Sequence, residues 1–175
     1  MVRTIAIAAA VLLVALLAFV ATRPDSFDVA RSTSIHAPPE KIFPLIDDLH
    51  AWGAWSPYER RDPNMKKTYS GSARGKGTVY EWSGNRDVGS GRMEIIESDP
   101  PSQVTLDLHF LEPFESRSTA RFALTREADG TRVTWALHGP NSFMGKLMSL
   151  FFSTDDLVGK DFESGLAELK AIAER

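Results

Sequence analysis

The sequence predicts an α+β domain in which a curved antiparallel β-sheet wraps around a long C-terminal helix, preceded by one N-terminal transmembrane helix. Three observations carry this. Between Ser153 and Arg175 the apolar residues Leu157, Val158, Phe162, Leu166, Leu169 and Ala173 recur every three or four positions, which sets one greasy stripe along a helix. From Gly77 to His138 apolar and polar residues alternate in short runs separated by turn signals, the pattern of half-buried strands. Ile5–Ala21 carries no charge at all.

That first segment reads as a membrane span. Its Ile, Val, Leu and Phe residues supply roughly −3 to −6 kcal/mol of insertion free energy, and its length as a helix is about 25 Å. A cleaved signal peptide is the rival. Its apolar core would be shorter and end in a small-x-small site, whereas a cut after Ala21 or Ala18 places Phe19 or Leu16 at the upstream small position. The chain thus divides into residues 1–24, a membrane anchor or signal peptide, and residues 25–175, one domain. Arg3 favours a cytoplasmic N-terminus with the domain on the far side, and Arg23 and Arg31 oppose it.

Within the domain, Ser26–His36 alternates as a first strand, with Phe27, Val29, Thr33 and Ile35 on one face. Ala37-Pro38-Pro39-Glu40 stops it and opens a helix whose buried side is Ile42, Phe43, Leu45, Ile46 and Leu49. Pro44 removes a backbone donor there and predicts a kink or early fraying. A short turn with Trp52 and Trp55 follows, then a charged, turn-like stretch from Tyr58 to Asn64. Further strands are expected at Lys66–Ser70, Gly77–Ser83, Gly91–Glu97, Gln103–Leu111, Ser116–Arg126 and Thr131–His138. Short turns between neighbours make this an antiparallel meander. Phe143–Phe152 is a greasy segment with one charge, Lys146, too short to span a bilayer. Ser153 or Thr154 caps the last helix, with Asp155 and Asp156 in its first turn, where the dipole favours anions.

Composition removes several function classes. A net charge of −3 offers no basic stripe for nucleic acid, and the lack of cysteine removes disulfides, thiolate metal sites and cysteine nucleophiles. His36, His50, His109 and His138 have no metal-ligand spacing, and no serine stands in a nucleophile elbow. Asp47-Asp48 reads as a solvated turn, and Gly71, Gly75 and Gly77 as a hairpin turn without the Gly-Lys-Ser/Thr of a phosphate loop. No cofactor and no metal are expected.

Local strings carry a family likeness. Ile35-His36-Ala37-Pro38-Pro39-Glu40-Lys41-Ile42-Phe43, Asp47–Trp52 with Trp55-Ser56-Pro57, Tyr80-Glu81-Trp82, Gly130–Trp135 and Gly165–Lys170 resemble the START-like, or SRPBCC, superfamily. This is the polyketide cyclase/dehydrase and lipid transport group. The resemblance covers Phe27 to the end and implies a helix-grip fold holding an apolar ligand, with no shared catalytic motif. Pro44 and the membrane segment depart from its minimal pattern. With it, the expectation is a single-pass protein of a bacterial inner membrane, its domain outside the cytoplasm, binding a hydrophobic small molecule or lipid.

A sheet curling over a helix leaves an elongated apolar gap, and large aromatics are the residues to line it. Trp52, Trp55, Tyr80, Trp82, Phe110, Trp135 and Phe162 are the candidate ligand-binding set, with Glu81, Arg121, Arg132 or Thr134 as polar fixtures. An ordinary aromatic core is the alternative for each. Phe143–Phe152 either lids the gap, lies on the membrane with Lys146 at the headgroups, or packs on the core. A cyclase- or dehydratase-like enzyme, needing an acid or base that faces the gap, and a ligand-free interaction domain at the membrane are the rival functions. Oligomeric state is open.

Overall fold

A computed structural model describes residues 2–150 and 153–175. Helix α1 (Val2–Ala21) is apolar and exposed along its length, apart from Val20 at its base. Seven strands follow: β1 (Ser26–Ile35), β2 (Lys66–Gly71), β3 (Thr78–Ser83), β4 (Ser90–Asp99), β5 (Gln103–Glu112), β6 (Ser116–Glu127) and β7 (Gly130–Pro140). They form one antiparallel sheet in the order β1-β7-β6-β5-β4-β3-β2. Each strand from β2 onward lies beside its successor, as short turns require, and β1 closes on β7 in an unbroken register from Ser26↔Pro140 to Ile35↔Thr131.

The helices sit on the concave face. α2 (Pro39–Asp47) and α3 (Pro57–Arg61) cross one side, joined by a 3₁₀ turn at Ala51–Ala54, and α5 (Thr154–Ala173) runs along β1. The short α4 (Phe143–Met148) lies between β7 and α5 and touches α1. The segment Phe143–Phe152 is therefore helical at its start, and Phe151 and Phe152 lie outside the described residues.

Local chemistry explains most of this, and two expectations need correcting. α2 does not fray at Pro44 but continues to Asp47, its last turn secured by the amide of Asp48 donating to Pro44 O at 3.3 Å. Tyr58–Asn64 is not a plain turn. Pro57 at a first helical position opens α3, and Glu59 in that first turn and Arg60 and Arg61 in the last suit the helix dipole. In α5, Ser153 caps as expected, its hydroxyl accepting from the Asp156 amide at 3.1 Å. Phe162, Leu166, Leu169 and Ala173 are buried on the sheet, while Leu157 falls off the stripe and is 59% exposed.

Arg31 and Gly159 settle how α5 meets β1. Arg31 alternates with Val29 and Ile35 on the inward face, and its guanidinium forks onto Asp155 (2.9 Å) and Glu163 (2.7 Å). The helix lies so close here that a Cβ at Gly159 would collide with that guanidinium. Further along, Lys170 Nζ donates to Ser34 O at 2.8 Å and the His36 amide to Glu174 Oε1 at 2.7 Å. α5 thus runs in the same direction as β1, its start at the end of the sheet where α1 joins.

Candidate functional site

Between the sheet and the helices lies a cavity of about 260 Å³. Its origin is visible along β6, whose inward positions are Ser116, Ser118 and Ala120 and then Phe122 and Leu124. Small side chains leave space at one end, and large ones fill the other. Phe122 and Leu124 are buried in the solid part of the core with Ile35, Ile46, Val104, Leu106 and Val133.

Six of the seven expected aromatics line this space: Trp52, Tyr80, Trp82, Phe110, Trp135 and Phe162. Trp135 stacks on Phe162 with ring centroids 3.9 Å apart, and Trp82 meets Phe110 edge-on at 5.6 Å. Gly91 permits that second pair, since a Cβ there would fall 2.5 Å from the Trp82 ring. Trp55 does not line the cavity. It is fully buried behind the wall, 5.6 Å from Trp135 and 6.0 Å from Phe122. The two neighbouring tryptophans share one anchoring device, the open carbonyls at the end of α2: Trp52 Nε1 donates to Ile46 O at 2.9 Å and Trp55 Nε1 to Leu45 O at 2.8 Å. Trp135 Nε1 is buried with no hydrogen-bond partner among the described residues.

The expected polar fixtures face the wrong way. Glu81, Arg121, Arg132 and Thr134 each sit one residue from an inward-facing neighbour and so lie on the convex face. Arg132 pairs there with Glu127 and Thr134 with Ser32. Asp47 is buried well away from the cavity, accepting from Ser98 Oγ at 2.6 Å, and acts as a tie between α2 and the sheet.

The wall's polar groups come instead from α3 and β6: Ser56, Tyr58, Glu59, Ser116 and Ser118. The Glu59 side chain is 8% exposed, pairs with Lys67 and accepts from Tyr80 Oη at 2.7 Å. Burial, then the Glu59 carboxylate, pushes the Tyr80 hydroxyl far above the ordinary phenol range. Burial, then the charge of Asp161, does the same to Tyr58. Both phenols stay protonated and can donate. Sequence reading missed Tyr58 and Glu59 because it took their segment for a turn. The small inward residues of β6 were a usable signal, since period two places Ser116 and Ser118 on the face of Ala120.

Among the described residues no three His, Asp or Glu side chains converge to hold a metal. The wall is largely apolar, with Glu59 and Tyr80 on it as a hydrogen-bonded polar pair.

Comparison with known proteins agrees on the architecture. Major latex-like protein 151 from Panax ginseng superimposes with a TM-score of 0.62 at 18% identity, covering 86% of this chain and 99% of that one. The di-domain aromatase/cyclase BexL of the BE-7585A biosynthetic pathway gives 0.61 at 13% identity, covering 89% of this chain and 51% of that one. A Chromobacterium violaceum protein gives 0.60 at 16% identity, covering 87% and 99%. Identities this low speak for the fold alone. No curated protein matches the chain in sequence. The family model described as polyketide cyclase / dehydrase and lipid transport matches residues 26–174, so the chain belongs to that family.

Proposed function

We propose that this protein is a membrane-anchored binding protein for a hydrophobic small molecule or lipid, held between the sheet and α5. The observation that carries this is the cavity of about 260 Å³, just below the roughly 300–1,000 Å³ of ligand pockets and walled almost wholly by apolar side chains. Such a wall repays apolar area at about 25 cal/mol per Å² and discriminates little by hydrogen bonding. Trp52, Tyr80, Trp82, Phe110, Trp135 and Phe162 are the contact residues in this reading, and Trp55 supports Trp52 and Trp135 from behind.

In the same reading α1 is the anchor. Its 20 residues make a helix of about 30 Å, the thickness of a bilayer's hydrocarbon core. The side is that of a bacterial inner membrane protein with the domain outside the cytoplasm. A reporter fused to the C-terminus tests it.

A second reading, a cyclase or dehydratase acting on a polyketide-like substrate, is favoured by Glu59 and Tyr80 on the wall. It stands second because Glu59 is already engaged by Tyr80 and Lys67, which leaves no free base for a substrate proton. The test is mass spectrometry of the full chain, gently extracted from membranes and held intact. A bound apolar molecule at one copy per chain is expected. An empty cavity that also rejects an apolar fluorophore sinks the reading.

A further inference from the structure

The anchor, the cavity mouth and the exposed apolar side chains all lie at one end of the sheet. Strand directions show it. β1 begins where α1 ends, so in an antiparallel sheet the ends of β3, β5 and β7 and the starts of β2, β4 and β6 share that end. Of the half-exposed members of the cavity wall, Phe27, Trp82, Val88, Phe110 and Val158 are there. The deep members, such as Trp52 and Trp135, are buried. The mouth therefore opens at the anchor end.

Among the described residues seven large apolar side chains outside α1 are exposed, and six of them rim this end: Leu111 (49%), Phe114 (71%), Phe143 (49%), Met144 (50%), Met148 (48%) and Leu157 (59%). They come from three separate segments, the end of β5 with the β5–β6 turn, α4 and the first turn of α5. The seventh, Ile96, lies elsewhere, on β4.

The tether holds this rim close to the anchor. Residues 22–25 reach at most about 14 Å when fully extended. They are not extended freely, because Asp25 O accepts from the Asn141 amide at 2.7 Å and Pro24 O from Asn141 Nδ2 at 3.3 Å. Lys146 points back to the Asp25 carboxylate, so its charge is engaged by the tether and not held at headgroups, the place that one of the three readings of Phe143–Phe152 gave it. Val20, at the base of α1, is fully buried where α1 meets α4.

We propose that the mouth is pressed against the bilayer, with this six-residue rim among the lipid headgroups, so that the cavity fills from the membrane and not from water. This rests on the reading of α1 as a retained anchor. Flanking charges are mixed, Arg86, Asp87, Glu112, Glu115 and Arg117, so the contact is apolar and insensitive to salt.

The chain has no cysteine, so single ones can be placed at will. Phe114→Cys, Met144→Cys and Leu157→Cys probe the rim, and Ala73→Cys probes the exposed turn at the opposite end. Each full chain is labelled with a nitrobenzoxadiazole dye and reconstituted in vesicles of phosphatidylethanolamine and phosphatidylglycerol. Rim labels should shift to the blue and be quenched by lipids brominated on the acyl chain, equally at low and high salt, while the Ala73 label stays aqueous. In a second arm, Phe114→Asp with Met144→Asp should slow filling by a dansylated fatty acid delivered from vesicles about tenfold, the rate equivalent of losing part of two buried side chains, and leave filling from detergent unchanged. Rim labels as aqueous as Ala73, or blue-shifted without lipid quenching, overturn the docking. Rim labels in lipid over a cavity that takes up no fatty acid keep the docking and sink the carrier reading instead.

Discussion

Ala120→Leu tests whether the space between sheet and helix is a ligand site. Ala120 is 2% exposed, stands on the cavity wall, and is flanked across the strands by Leu106 and Leu137. The substitution adds three carbons pointing inward. At about 0.8 kcal/mol per buried methylene, filling open space with them stabilises the fold by up to about 2.4 kcal/mol. In a domain of this length that raises the melting temperature by roughly 4–10 °C. If the space were already packed, the same carbons would force rotamer and backbone shifts costing about 1–3 kcal/mol. The sign of the change thus distinguishes hollow from solid. Thermal unfolding of the full chain in detergent reads the stability, and titration with an apolar fluorophore reads the occupancy. Higher stability with weaker fluorophore binding is expected. Lower stability with unchanged binding refutes the hollow.

Four further outcomes follow from named contacts. Gly159→Ala should gain little alone, because the new methyl displaces the Arg31 fork, but should stabilise an Arg31→Met background by about 0.8–1.0 kcal/mol of helix propensity in urea unfolding. Gly165→Ala should destabilise both backgrounds by about 1–3 kcal/mol, since its neighbours are rigid rings, Trp135 at 2.9 Å and Pro57 at 3.1 Å. Asp155 is held below the ordinary carboxylate value of 3.8 by its hydrogen bond from Arg31, and Glu174 below 4.5 by the His36 amide. A depressed carboxyl stabilises the fold above its unfolded pKa and loses that contribution as pH falls through the folded one, so the protection of amides at the two ends of α5, relative to their intrinsic exchange rates, should fall below about pH 4; protection unchanged between neutral pH and 3 refutes it. Glu59→Gln should leave the fold intact and weaken binding only of apolar probes that carry a polar head, measured against a plain hydrocarbon probe; equal loss for both assigns Glu59 to structure alone.

The architecture was legible because its causes are periodic and local. Alternation along β5, β6 and β7 and the stripe from Phe162 to Ala173 fix which faces turn inward, and the turn residues fix which strands are neighbours. What periodicity does not carry is how closely a loop or short helix approaches a given face. Trp52 and Trp55 are three residues apart, yet one faces the cavity and the other lies behind it, because both rings are steered by the end of α2. Tyr58 and Glu59 were invisible for the same reason: α3 has one turn, and its position depends on α5 through the Arg60–Glu168 and Arg61–Asp161 pairs. The error over Glu81, Arg121, Arg132 and Thr134 was avoidable. Each adjoins an apolar residue already assigned inward, and a one-residue step in a strand reverses the face.

β1 is both the sheet strand that follows the tether and the partner of β7 along its full ten residues. Tension drawn along α1 therefore enters the sheet parallel to the strands and loads the entire β1–β7 ladder in shear, where no single pair can open ahead of the others. The opposite edge strand, β2, has six residues and begins with Lys66 and Lys67, charges that discourage pairing with a second chain. The ten-pair seam is the one that follows the tether, so a pull on α1 would be borne there before it reached the hollow.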